Sequence, residues 1–244
     1  MARLAVFPTV GMVVKKTFKE IYQSFSYSVL TSMIAAVAYL PILFVFFGMF
    51  VYISESADQS MTINHLIQIL LQSLFLSAIW NTLAAAPITT TLYSLYQERK
   101  EGYPGFKTFF ILLWKHYRAS FVVNGLSSLV VILLVLNILI AIKGQLWIFF
   151  LSGMVSFYFL IFLVLMSFFF APLIHLGNGI KKTFKKAFLL VIDNTGPTMA
   201  LMLLLGVFFV LTLIFAPIWI LTYGAILIYV TDLGFYAIYD RYDS

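Results

Sequence analysis

The chain has no cysteine. That excludes a disulfide framework, a thiolate nucleophile and any cysteine metal site. Charge is scarce too: 10% of the 244 residues are Asp, Glu, Lys or Arg, against about 25% in soluble domains. Hydrophobic residues make up 63%, and the mean hydropathy is +1.04. Lipid, not water, is the solvent of such a chain. A net charge of +6 would suggest nucleic acid in a soluble protein, but no platform of aromatic and basic residues accompanies it. No nucleic-acid partner is expected, and anionic lipid headgroups suit the excess charge better. His65, His116 and His175 are scattered and lack carboxylate partners, so no metal site is expected. There is no Ser-His-Asp arrangement, phosphate-cradling glycine loop or carboxylate pair. Neither cofactor nor enzymatic activity is expected.

Where charge does occur, it is ordered. All of the 15 Lys and Arg except Lys143 and Arg241 fall in three clusters: Arg3 to Lys19, Arg99 to Arg118, and Lys181 to Lys186. Cytoplasmic loops carry excess Lys and Arg. The clusters therefore predict three cytoplasmic segments, with the chain crossing the bilayer between them. A span needs about 20 mostly apolar residues. Ser28–Ile53, Ile63 to about Tyr93, Ala119–Ile142 and Leu146–Leu176 qualify. The stretch from Thr198 to Val230 would make a straight helix ~50 Å long, well beyond the ~30 Å hydrocarbon core. Ala216-Pro217 interrupts it, which predicts two spans, Thr198–Phe215 and Ile218–Tyr239. The alternative is one kinked helix and five spans. The N-terminus does not read as a cleavable signal, because Met1 to Val14 carries Pro8 and its lysines follow it. The expected fold is an all-α polytopic membrane protein of six helices in one domain, both termini cytoplasmic.

A repeat supports six. Gly11 to Lys19 contains Lys15-Lys16-Thr17-Phe18-Lys19, and Gly177 to Lys185 contains Lys181-Lys182-Thr183-Phe184-Lys185. A fainter copy begins at Gly105-Phe106-Lys107-Thr108-Phe109. The unit would be a basic amphipathic elbow followed by a helical hairpin, spanning roughly 11–96, 105–176 and 177–239. Basic residues before any inward-facing span would look similar, so the repeat stays open. In the third copy Phe184, Phe188, Leu189 and Ile192 oppose Lys181, Lys182, Lys185 and Lys186 at helical spacing. Such a helix lies in the interface. Lys15, Lys16 and these four lysines are the candidate headgroup contacts.

Inside the spans, Ser24, Ser28, Ser32 and Ala36 recur every four residues, as do Ser73, Ser77, Asn81 and Ala85. Small residues let helix backbones approach in lipid. These stripes are expected to form the seam of the first hairpin, or else a dimer seam. Gln68 and Gln72 share a face of the second span, with Asn81 nearer mid-membrane. Buried amides need partners in hydrocarbon. They either glue helices together or, with Asn124, line a polar cavity; Asn137 is a further candidate. Spans one to four hold no Asp, Glu, Lys or Arg at depth, which removes support for ion-coupled transport. Asp232 is expected near the cytoplasmic interface, where charge costs little. Pro87, Pro172 and Pro217 are expected to kink their helices, as static bends or hinges. Thr89-Thr90-Thr91 can hold freed carbonyls locally.

Several segments together resemble the YesL-like family of bacterial membrane proteins. They are Ala85-Ala86-Pro87-Ile88-Thr89 through Tyr96, Phe106 to Phe110, Lys115-His116-Tyr117, Asn124-Gly125, Phe170-Ala171-Pro172 to His175, and the Lys181 to Phe188 helix. The resemblance covers most of residues 60–215. The longer N-terminus and the lack of a strict glycine before Pro87 depart from it. It implies an accessory role near carbohydrate uptake in the bacterial cytoplasmic membrane, and no catalytic residues.

The leading expectation is a non-enzymatic accessory or scaffold subunit of a transport or other membrane complex, with a membrane-protein partner or a homodimer. The alternative is a facilitator or binder of a small polar solute or lipid in a cavity at Gln68, Gln72, Asn81 and Asn124.

Overall fold

A computed structural model describes residues 6–55, 63–102, 105–144 and 147–239. The turn at Tyr103-Pro104, Arg3 and the tail from Asp240 lie outside the described residues. In chain order the helices are α1 (Val6–Gln23), α2 (Phe25–Glu55), α3 (Ile63–Trp80), α4 (Ala86–Glu101), α5 (Phe106–Lys143), α6 (Trp147–Ser167), α7 (Phe170–His175), α8 (Ile180–Asp193), α9 (Thr195–Leu213), α10 (Ala216–Ile218) and α11 (Gly224–Tyr239). Two π-helical segments, Asn81–Ala85 and Trp219–Tyr223, join α3 to α4 and α10 to α11. No strand occurs among the described residues.

Six helical stretches are long and apolar enough to cross a membrane: Phe25–Glu55, Asn64–Lys100, Phe106–Lys143, Trp147–Ser167, Thr195–Leu213 and Trp219–Tyr239. The protein is a multi-pass, all-α membrane protein, and the last apolar stretch divides in two at Ala216-Pro217. The ends of the bundle differ in charge. One carries α1, α8, Arg99, Lys100 and the start of α5, and is called here the basic end. The other carries Lys143, which donates to Asn64.

The elbows α1 and α8 are each followed at once by a long helix, with the joints at Ser24 and Asn194. Thr17 and Thr183 hold matching positions in the two motifs, and both are buried. The third elbow departs from expectation. Residues 106–118 are continuous with the span, in one helix of 38 residues. No glycine, proline or asparagine stands near Arg118 to break it, unlike the junction at Asn194-Thr195-Gly196-Pro197. At ~1.5 Å per residue, α5 is ~57 Å long, so its first turns extend past a ~30 Å core. After α7 the chain turns on Gly177, with φ of 72° and its N–H bonded to Ile174 O at 2.9 Å. The Asn178 N–H then reaches Leu173 O at 3.2 Å. This left-handed cap favours glycine and frees α8 to change direction.

The serine stripe of α2 packs differently from its expected seam. Ser28 Oγ bonds Tyr229 Oη at 2.8 Å, and the Ala225 N–H donates to Ser32 Oγ at 2.9 Å. The first span thus seats on the sixth; only Ser24, which accepts from Arg99, faces its hairpin partner. Gly224 explains the choice. A Cβ there would lie 2.6 Å from both Ala35 Cβ and Ser32 Cα. Only hydrogen at position 224 permits this approach. Ser73 and Ser77 are buried on α3.

Candidate functional site

Two π-helical segments and the α6–α7 turn converge. Asn81 belongs to the first π segment, Ser167 ends α6, Phe168 belongs to the turn between α6 and α7, and Tyr223 to the second π segment. All four line one cavity of about 460 Å³. Each of these irregularities has a local cause. Pro87 lacks the N–H that would bond Leu83 O, and Tyr117 Oη takes that carbonyl at 3.2 Å. The hydroxyls of Thr89, Thr90 and Thr91 bond instead to the carbonyls of Ala85, Ala86 and Pro87, at 2.8, 3.0 and 2.8 Å. Pro217 stands two residues before the second π segment, and Pro172 follows the α6–α7 turn.

The rest of the polar wall comes from Tyr39, Thr89, Thr90, Tyr93, Asn124 and Thr231. Among the described residues, no Asp, Glu, Lys, Arg or His contributes to the lining. Part of the wall is already paired. Tyr39 Oη lies 2.9 Å from Thr89 Oγ1, Thr90 Oγ1 lies 3.0 Å from Ser120 Oγ, and Asn124 Nδ2 donates to Ser120 O at 2.9 Å. Asn81, Asn124 and Ser167 also border a second space of about 300 Å³, with Ser77, Ser127 and Ser128. Ser77 Oγ is buried there without a partner. A buried hydroxyl left unpaired costs ~1–3 kcal/mol, so water or a ligand hydroxyl would be stabilising beside it.

Beneath the cavity, at the basic end, lies a charge cluster that sequence reasoning missed. Asp232 lies at this basic end and is 1% exposed, buried within the protein. Its carboxylate accepts from Tyr93 Oη at 3.0 Å, from Gln97 Nε2, and from Lys100 Nζ at 2.7 Å. These donors lie along one face of α4, at i, i+4 and i+7. Lys100 also sits 4.8 Å from the Tyr96 ring centroid and 5.4 Å from that of Tyr236. Tyr96 packs on Tyr229, and Arg99 lies 4.5 Å over Tyr27. Tyr93 belongs to both regions: its ring borders the cavity and its hydroxyl reaches Asp232. The available signal was the pairing of the sole acidic residue in a span with a Tyr93–Gln97–Lys100 face.

Other candidates disperse. Gln68 and Gln72 are exposed and border neither space. The α3 face carrying Ser73 and Ser77 turns inward, so the glutamine face turns outward. Asn137 donates to Ser152 Oγ at 2.9 Å and Ser156 Oγ at 2.6 Å, joining α5 to α6. Lys15, Lys16, Lys181, Lys182 and Lys185 are exposed. Lys186 is half-buried and donates to Tyr239 Oη at 3.1 Å. His116 and His175 do approach, with ring centroids 6.0 Å apart, and His175 Nδ1 lies 3.0 Å from Ser94 Oγ. No group of three or more His, Cys, Asp or Glu suited to a metal occurs among the described residues. Burial, followed by the nearby Lys115 ammonium, holds the His175 pKa below the ordinary imidazole value.

No family model, curated protein or solved structure matches this chain.

Proposed function

We propose that this protein is a non-enzymatic binder or facilitator that holds an uncharged, hydroxyl- or amide-bearing group between its spans. The observation that carries the reading is the convergence of two π-helical segments and the α6–α7 turn on one partly polar cavity. π-Helical segments within longer helices are frequent at functional sites. The volume suits a small molecule, since such sites fill ~300–1,000 Å³. The lining is neutral, so a charged ligand would lose its hydration without gaining a counter-charge. The Lys100–Asp232 pair and its tyrosines close the cavity at the basic end. On the positive-inside rule that end faces the cytoplasm of a bacterial inner membrane, as do both termini. Ser28 and Ser32 are engaged by the sixth span, so an accessory role would dock through another face.

The test is to purify wild type and Asn81→Leu in lipid nanodiscs and identify co-purifying molecules by mass spectrometry. A stoichiometric uncharged hydroxyl- or amide-bearing molecule is expected with wild type and should be lost from the variant, with helicity unchanged. No such molecule, or equal amounts with both proteins, contradicts the proposal.

A further inference from the structure

The polar cavity shares part of its wall with an apolar groove. Met202 and Gly206 of α9 border the cavity on the inside. The same two residues border an apolar groove of about 800 Å³ between α6 and α9. Leu160, Ile161 and Val164 form one wall of this groove; Leu203, Val207 and Val210 are among the residues of the other. Leu203, Val207 and Val210 are all exposed. Both helices are membrane spans, so what covers this groove is hydrocarbon.

Gly206 marks the junction. At Gly153, Gly224 and Gly234 an added Cβ would meet a neighbouring atom at 2.5, 2.6 and 2.7 Å respectively, so those glycines serve close packing. At Gly206 an added Cβ would meet nothing within 4 Å. Gly206 is exposed, and no side chain fills the place on α9 that the polar cavity and the apolar groove share.

We infer that the ligand is a membrane lipid with an uncharged, hydroxyl-bearing headgroup, which enters sideways between α6 and α9. This inference rests on the cavity reading above and names its ligand class. The headgroup occupies the neutral pocket at Asn81, Asn124 and Ser167, while an acyl chain runs out past Gly206 into the groove. A phosphate headgroup does not fit, because no cationic side chain among the described residues lines the pocket. Anionic lipids are left to the exposed lysines of the elbows. A fully water-soluble ligand would leave the adjoining apolar groove without an occupant of its own.

The experiment uses the full chain in phosphatidylcholine nanodiscs doped with dioleoylglycerol, with phosphatidic acid doped separately as the charged counterpart. Bound lipid is counted by native mass spectrometry. Wild type should retain dioleoylglycerol in preference to phosphatidic acid. Gly206→Leu should plug the junction and lower dioleoylglycerol occupancy by about tenfold, the equivalent of ~1.4 kcal/mol, and Asn81→Leu should lower it likewise. If Gly206→Leu does not fold, Met202→Phe fills the same junction and is read in its place. Equal retention by the plugged variant overturns the lateral route. Retention of phosphatidic acid over dioleoylglycerol overturns the headgroup assignment. A wild type that carries a water-soluble neutral molecule released by Asn81→Leu, but no dioleoylglycerol, overturns this inference alone and leaves the cavity reading standing. A wild type that carries neither overturns both.

Discussion

At the basic end, α4 and α11 bury a carboxylate under a lysine, a glutamine and four tyrosines, and the aromatic core of α7, α8 and α9 packs close by. At the other end, the α5–α6 hairpin presents Leu133, Ile140, Phe150 and Tyr158 outward and is joined by Asn137 and a close approach at Gly153. The first region is held by charge, hydrogen bonds and ring packing. The second is held by the Asn137 bonds to Ser152 and Ser156 and by the close approach at Gly153, because hydrocarbon gives helices no hydrophobic reason to associate. The cavity lies between them.

The largest expected effect comes from breaking the base. Lys100→Met leaves the Asp232 carboxylate buried without its counter-charge. Removing one partner of a buried pair costs ~3–5 kcal/mol, and the low end applies because water reaches the half-exposed lysine. Denaturant unfolding in detergent should show that loss. The double variant Lys100→Met with Asp232→Leu should recover most of it. A double variant no better than the single one would mean that the pair does not anchor the base.

A pH effect of intermediate size belongs to His175, which packs beside Tyr93 and bonds Ser94. Its folded pKa lies below the ordinary value, so the unfolded chain binds a proton that the folded chain refuses. The stabilisation is full above the ordinary pKa of ~6.5 and is lost as pH falls through the lower folded pKa. Thermal midpoints should drop between about pH 7.5 and pH 5, and His175→Gln should flatten that drop. An unchanged drop in the variant would assign it to another group.

The smallest effect is expected in the hairpin. Asn137→Leu removes two bonds to serines, and such contacts between membrane helices average ~0.6 kcal/mol. A loss as large as that of Lys100→Met would erase the contrast between the two regions.

Much of this architecture was legible in the residues. Hydropathy and Ala216-Pro217 pointed to six spans, and the lysine pattern marked the elbows. Asn81 and Asn124 were candidates for a cavity, and both border one. The glutamines were not distinguishable from them by chemistry; only the inward turn of Ser73 and Ser77 separates the faces. The serine stripe was legible as a seam, but its partner was not, because Gly224 lies almost two hundred residues away in sequence. Asp232 was visible as the sole acid in a span. Its burial depends on Tyr93, Gln97 and Lys100 arriving from another helix, a juxtaposition that hydropathy does not encode.

The central claim is the proposal that the cavity beside the two π-helical segments is open to water within the bilayer. Because the chain has no cysteine, a single introduced thiol reports its own surroundings, and only its thiolate reacts. Asn81→Cys and Leu133→Cys would be exposed in nanodiscs to a small water-soluble methanethiosulfonate. The account predicts rapid modification of Asn81→Cys and none of the lipid-facing Leu133→Cys. Equal inertness at both positions would contradict it.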